Sequence, residues 1–316
     1  MIVRWGLGAL PEVLPGAPFL LATERWQAPV DVVGRWSRLP HDDLGEIGRA
    51  AEGASCLLAL GGGSAIDTGK GVSAGTGLPL VSVPTTYSGA EWTTYYGVRD
   101  PGRRMRGGGA GAHLHGIVYE PELTLDLPRA ETVGTALNAL AHCAEALYVR
   151  QRNDAADARA LEGAGLIAEW LPQVVERPRD LETRTGLLRG AAAAGEALAL
   201  SMLGLGHALA QALGGRYGLP HGAMNALSLP PALRFNAELA PDAVRRFGEA
   251  IGAPDDPAAG VEELARLGNF GRLRDFGVPE GDLDELAEAA ASRAGNQANP
   301  RPATPGEIAA LLRSTY

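Results

Sequence analysis

With 316 residues, 46% of them hydrophobic, the chain is long enough for one large domain or two ordinary ones. A net charge of −9 supplies no basic face and so argues against nucleic acid as a partner. No apolar run reaches the roughly eighteen residues of a spanning helix, which argues against a membrane partner too.

Residues 1–6 lack the basic-then-apolar layout of a signal peptide. Cys56 and Cys143, the two cysteines, both lie in apolar surroundings. A cytoplasmic chain with reduced thiols is the expectation. Short apolar runs at 19–23, 56–60, 80–83 and 116–119 predict buried strands. Helical stretches at 42–52 and 64–74 lie among them, so the first part predicts a mostly parallel sheet with helices on its faces. The glycine run 107–111 reads as a flexible surface loop. After Leu127 the strand-like runs stop. Helices are predicted at 131–151, 155–169, 182–200, 206–213, 240–252, 260–267, 282–293 and 305–314. The expected organisation is therefore an α/β, Rossmann-like domain over 1–127 and an all-helical domain over 128–316.

Two segments of the first part carry polar chemistry. The strand ending at Leu60 runs into Gly61-Gly62-Gly63-Ser64 and the start of a helix. Glycines let the backbone approach a pyrophosphate, and the N–H groups of a helix start face its charge. The same turn also serves simply to pack a helix on a strand. No Gly-Lys-Ser/Thr follows at the spacing of a Walker loop. The loop after the 80–83 strand gathers Thr85, Thr86, Tyr87 and Ser88, groups able to bond a ribose, a nicotinamide amide or a carboxylate, or to make an ordinary polar turn.

In the helical part, Asn138 and His142 stand four apart on one helix face. His207 and His221 follow, fourteen positions apart. Three imidazoles and a short polar side chain suit either a divalent metal or a carbonyl substrate. A lone histidine on an apolar helix is usually a satisfied core residue.

Taken together, GGGSAIDTGK at 61–70, PTTYSGAEWT at 84–93, NALAHCAEALY at 138–148 and the His207–His221 pair closing in LPHG resemble the iron-containing alcohol dehydrogenase superfamily. The likeness runs along nearly the whole chain. Its spelling favours the maleylacetate reductase branch, as do Asn299-Pro300-Arg301-Pro302 and an asparagine at 138 where metal-binding members carry aspartate. The resemblance implies a dehydroquinate synthase-like architecture, a homodimer, a small acidic substrate and NADH or NADPH as cofactor. By carry-over, Gly61, Gly62, Gly63 and Ser64 hold the pyrophosphate, with Asp67 following in the same helix start. Thr85, Thr86 and Ser88 line the ribose–nicotinamide side. Thr23 or Glu24 falls where the adenosine ribose is read, and a glutamate there repels a 2′-phosphate. Lys70, the single lysine of the chain, falls on a lysine of the family motif.

The implied reaction is hydride addition to the conjugated C=C bond of maleylacetate, or a similar oxo-dicarboxylate, giving 3-oxoadipate from maleylacetate. His142, His207 and His221 stabilise the enolate charge, and one of them or Tyr87 delivers the proton. Asn138, Arg301 and the histidines meet the substrate. The expectation is a site without metal, because an amide oxygen donates less charge than a carboxylate.

Two other readings remain. One is an Fe or Zn alcohol dehydrogenase with Asn138, His142, His207 and His221 as ligands. The other is an altered relative that makes a biosynthetic product or only binds nucleotide. Three departures from the family bear on them. Gln211 replaces a second histidine that lies near the nicotinamide in metal-dependent members. Residues 23–38 are shortened, with a loop around Trp26 and Pro29 in place of a helix covering the sheet. Residues 103–115 match weakly, and read as a cationic rim or a solvated loop.

Overall fold

The structure, a computed structural model, describes residues Met1–Tyr316. It divides into two compact units: Met1–Thr86 with Ala90–Thr124, and Tyr87–Gly89 with Leu125–Tyr316. The division falls three residues before the expected boundary. It also assigns Tyr87–Gly89, expected in the α/β part, to the helical unit.

The α/β unit contains β1 (Ile2–Trp5), α1 (Leu10–Val13), β2 (Pro18–Leu21), β3 (Gly34–Trp36), α2 (Leu44–Ala50), β4 (Cys56–Gly61), α3 (Gly63–Thr76), β5 (Leu80–Pro84), β6 (Tyr96–Arg99), β7 (Met105–Gly109) and β8 (Leu114–Tyr119). Six strands form one sheet in the order β1-β8-β5-β4-β2-β3, every pair parallel. β2, β4 and β5 are buried along their whole length, as expected of strands covered on both faces. Strand alternation sorts their side chains. Phe19, Leu21, Leu57 and Ala59 pack with Ile47, Ile66 and Val72 of α2 and α3. Leu20, Leu58, Leu60, Val81 and Val83 pack with Leu10 and Val13 of α1. That second face is also covered by Trp26, Ala28, Val30 and Val32. The shortened segment thus replaces a helix with an extended loop that turns alternate side chains onto the sheet.

The glycine run is not the expected free loop: Gly107, Gly108 and Gly109 pair antiparallel with Val98, Gly97 and Tyr96. A Cβ on Gly108 would come within 2.7 Å of the Tyr96 carbonyl oxygen, so only glycine fits this close approach.

The helical unit contains α4 (Arg129–Ala146), α5 (Asp154–Glu176), α6 (Leu181–Leu200), α7 (Leu205–Tyr217), α8 (His221–Ala237), α9 (Pro241–Ala250), α10 (Pro257–Arg266), α11 (Leu283–Ala291), α12 (Ala294–Ala298) and α13 (Pro305–Ser314). Asn153, Asp180 and Asp256 cap α5, α6 and α10 by accepting a first-turn N–H, and Thr304 with Glu307 forms a capping box on α13. α4 is apolar nearly all round and buried from Thr132 to Ala146 except at Thr135, which makes it the centre of the bundle.

Sequence reasoning missed α8. Pro230 and Pro231 lie inside it and remove two helical N–H donors. The helix persists because almost every side chain from Ala223 to Leu233 is buried. Its far end is tied to the C-terminal stretch by reciprocal amide bonds, Asn236 Nδ2 to Asn299 Oδ1 at 3.1 Å and Asn299 Nδ2 to Asn236 Oδ1 at 2.8 Å. No single helix is long and apolar enough to cross a membrane.

α4 and α8 touch backbone to backbone at Gly134 and Gly222, where a Cβ on Gly222 would lie 2.3 Å from the Gly134 carbonyl carbon. Because the obstacle is backbone, the helices must separate to admit a methyl group. Gly222→Ala is expected to cost about 1–3 kcal/mol in urea unfolding and to displace the neighbouring His221.

Candidate active site

The helical unit gathers the four residues that spacing paired. α4 carries Asn138 and His142 one turn apart, α7 carries His207 in its first turn, and α8 begins at His221. The histidines therefore come from three helices. The His142 and His207 rings stack at 4.7 Å with 17° between planes, and His207 and His221 stand 5.9 Å apart at 53°. Asn138, His142 and His207 are buried.

One backbone group sets the direction of the polar network. The Ser88 carbonyl can only accept, and Asn138 Nδ2 donates to it at 2.8 Å. Asn138 Oδ1 therefore faces inward as an acceptor. It lies 2.7 Å from Asn225 Nδ2 and 3.3 Å from His207 Nε2. Asn225 must present its NH2 side, because its oxygen would oppose another oxygen. The same NH2 group lies 3.1 Å from His221 Nε2, which accepts. His207 Nε2 must be an N–H.

His207 Nδ1 stands 2.6 Å from Glu145 Oε2, one turn beyond His142 on α4. Glu145 is fully buried. It also accepts from the N–H of Gly204 at 2.7 Å and of His207 at 2.9 Å. Gly204 is the N-cap of α7 and offers no side chain, so a carboxylate from another helix caps α7 and steers His207 in one set of contacts. Whichever side of the 2.6 Å contact holds that proton, Nε2 remains a donor. His142 Nδ1 is buried and has no hydrogen-bond partner. Burial, with His207 and His221 close by, pushes the His142 pKa well below the usual histidine range, so its ring is neutral at pH 7. Burial also pushes the Cys143 thiol far up, which leaves it inert.

Three expected site residues have other duties. Tyr87 is fully buried, and its hydroxyl accepts from Arg184 Nη1 at 3.1 Å. Arg184, also buried, donates to Thr132 Oγ1 and to the carbonyls of Pro178, Leu125 and Leu127. Tyr87 is thus held as an anchor of the helical unit, its hydroxyl oxygen accepting from a buried guanidinium. Arg301 pairs with Glu307 at 2.8 and 3.0 Å and lies over the Phe235 ring. Phe235 is fourteen positions beyond His221 on α8, or about 21 Å along the helix, so Arg301 does not meet a substrate held by the histidines. Asp67 pairs with Lys70 at 2.8 Å and accepts the Gly97 N–H at 3.3 Å. It pins β6 to α3 and leaves no free carboxylate for a cofactor. Lys70 is buried and also donates to the carbonyls of Ala90 and Tyr95, which makes it structural.

Asn225 and Glu145 were missed. Each carries a signal at helical spacing: Asn225 is four after His221, and Glu145 is three after His142.

In the α/β unit, the chain leaves β2 for β3 on one side and returns to β4 on the other. Their carboxyl ends form the switch point at which open parallel sheets bind ligands. Gly61, Gly62, Gly63 and Ser64 leave β4 there, and Thr23 and Glu24 leave β2. The register Leu21↔Ala59, continued two residues, sets Thr23 level with Gly61. Gly62 caps the fourteen-residue α3 without a side-chain bond. A Cβ on Gly62 would strike Thr86 Cγ2 at 2.9 Å. Open N–H groups at the end of a long helix, at the switch point, fit a dinucleotide pyrophosphate. Glu24 is exposed. Thr85 and Thr86 belong to this unit, whereas Ser88 belongs to the helical one.

The imidazole cluster fits a tightly held metal poorly. Its fourth donor is an amide oxygen already taken by Asn225. An ion cannot lie in the planes of two stacked rings at once. No three His, Cys, Asp or Glu side chains are arranged to hold an ion.

Two family patterns match the chain: iron-containing alcohol dehydrogenase over residues 40–112, and the C-terminal region of the Fe-containing alcohol dehydrogenase family over 132–316. The maleylacetate reductase of Burkholderia cepacia is 37% identical over 264 residues, which is 84% of this chain and 74% of that protein. That of Pseudomonas knackmussii is 37% identical over 279 residues, 88% of this chain and 78% of that protein. The crystal structure of maleylacetate reductase from Agrobacterium tumefaciens superposes with a TM-score of 0.89 at 30% identity, covering 100% of this chain and 95% of that one. The chain belongs to the iron-containing alcohol dehydrogenase family, in its maleylacetate reductase branch, and is an oxidoreductase.

Glu145→Ala would leave two buried backbone N–H groups and His207 Nδ1 without an acceptor. It is expected to cost about 3–5 kcal/mol in urea unfolding, and Glu145→Gln, which keeps one oxygen, to cost less.

Proposed function

We propose that the protein is a nicotinamide-dependent maleylacetate reductase that works without a resident metal. The observation that carries this reading is Asn138 Oδ1, an amide oxygen that faces the His207 N–H at 3.3 Å and would give less charge to a cation than a carboxylate does. A bound NADH supplies the hydride for the conjugated C=C bond. The chain supplies the rest. His207 Nε2–H and Asn225 Nδ2–H both converge on Asn138 Oδ1. His207 Nε2–H, held only by the long 3.3 Å contact, is the donor for the ketone oxygen of the substrate as it takes on enolate charge, while both Asn225 N–H groups stay with Asn138 Oδ1 and His221 Nε2; a donor positioned in advance needs little reorganisation when the charge develops. His142 is neutral and open at Nδ1. A neutral ring has no proton to spare, so the proton comes from His207: Nε2 gives it to the enolate oxygen while the proton shared with Glu145 stays on Nδ1, and with the hydride added to the carbon beyond the one beside the ketone the enol shifts to the saturated oxo-diacid.

Gly61, Gly62, Gly63 and Ser64 at the head of α3 hold the pyrophosphate, and Glu24 beyond β2 favours NADH over NADPH by repelling a 2′-phosphate. A small acidic substrate and a homodimer complete the proposal.

The test is NADH oxidation by purified protein with maleylacetate, succinic semialdehyde or simple aldehydes. Maleylacetate is expected to drive oxidation best, and His207→Ala to lower kcat about 10²- to 10³-fold, the usual loss for one fixed donor. Oxidation with aldehydes alone, or with none of these substrates despite intact NADH binding, contradicts the reading.

A further inference from the structure

With Arg301 committed to Glu307, the proposed diacid lacks a cationic partner near the histidines. Arg293 precedes α12 and is half-buried. α12 is locked onto the start of α7: a Cβ on Gly295 would come within 2.4 Å of the Gly204 carbonyl oxygen. Gly204 is the residue whose N–H is held by Glu145, so Arg293 is fixed beside the turn that carries His207. Its Nη1 donates to Gln211 Oε1 at 3.5 Å. Gln211 lies one helical turn beyond His207, on the same face of α7.

The partners of this arginine are incomplete. No carboxylate of the chain pairs with it, whereas Arg216, Arg246 and Arg301 of the same unit each have one. Its Nε is buried without a hydrogen-bond partner, and burial pushes its pKa down, the mark of a cation that has lost water without gaining an anion. A planar guanidinium binds a carboxylate by two parallel N–H bonds.

We propose that Arg293 is the specificity-determining residue that binds the substrate carboxylate remote from the reacting double bond, with Gln211 orienting it from α7. This rests on the oxo-dicarboxylate reading above. The arginine's neighbour occupies the position of the second family histidine. The exchange to Gln211 therefore supplies an amide that accepts from the guanidinium and still has its NH2 group for the same carboxylate.

Arg293→Met and Arg293→Lys are compared with the unaltered protein, using maleylacetate and its monoester at the remote carboxyl. The preference for the diacid over the monoester, as the ratio of kcat/KM, is expected to fall about tenfold to a hundredfold in Arg293→Met, the worth of one charge-assisted contact. The change should appear mainly in KM, with partial recovery in Arg293→Lys. An equal loss on both substrates, or no loss on the diacid, overturns the proposal. Titration calorimetry with glutarate, which has no bond to reduce, separates this failure from that of the parent reading. Glutarate binding that Arg293→Met abolishes, in a protein that does not reduce maleylacetate, would sustain the arginine's role and sink only the reaction. Equal binding, or none, in both proteins would sink the role itself.

Discussion

The direction of one amide governs the site. A backbone carbonyl can only accept, so the Ser88 C=O turns the Asn138 side chain, and with it every polar contact further in. Asn225 must then donate, His221 must accept at Nε2, and His207 must carry a proton there. A buried amide turned the other way would set acceptor against acceptor at Ser88 and leave His207 Nε2 facing another donor. At this depth unpaired groups cost about 1–3 kcal/mol each. The arrangement is therefore a single state, with the amide oxygen of Asn138 facing the N–H groups of His207 and Asn225.

The scaffold achieves this by bringing helices close with small residues. α4 meets α8 at Gly134 and Gly222, and α12 meets the head of α7 at Gly295 and Gly204. Each contact lies within a few residues of a group that faces the cluster. Glu145 connects the two, because from α4 it both caps α7 and holds His207. Stability and chemistry rest on the same carboxylate.

Much of this was legible in the sequence. Continuous apolar strands announced a parallel sheet, and helical spacing joined Asn138 to His142. The motifs located the glycine turn and the histidine pair. What could not be read was which polar groups are already committed. Tyr87, Arg301 and Asp67 each looked available, and Arg184, Glu307 and Lys70 occupy them. A pairing as distant in the chain as Tyr87 with Arg184 leaves no periodic trace, whereas Asp67 and Lys70 stand at helical spacing and their pairing was legible. Asn225 stayed hidden because the Pro230-Pro231 pair concealed the helix on which it stands one turn from His221. The glycines at 107–109 looked like a loop because a strand without side chains has no alternation to detect.

The most direct test of the proposed metal-independent site is maleylacetate turnover by protein stripped with a strong chelator, alongside elemental analysis of the same sample. A network of N–H donors predicts full NADH oxidation with far less than one ion per chain. Loss of turnover on stripping, restored by ferrous or zinc ions at one per chain, would contradict it.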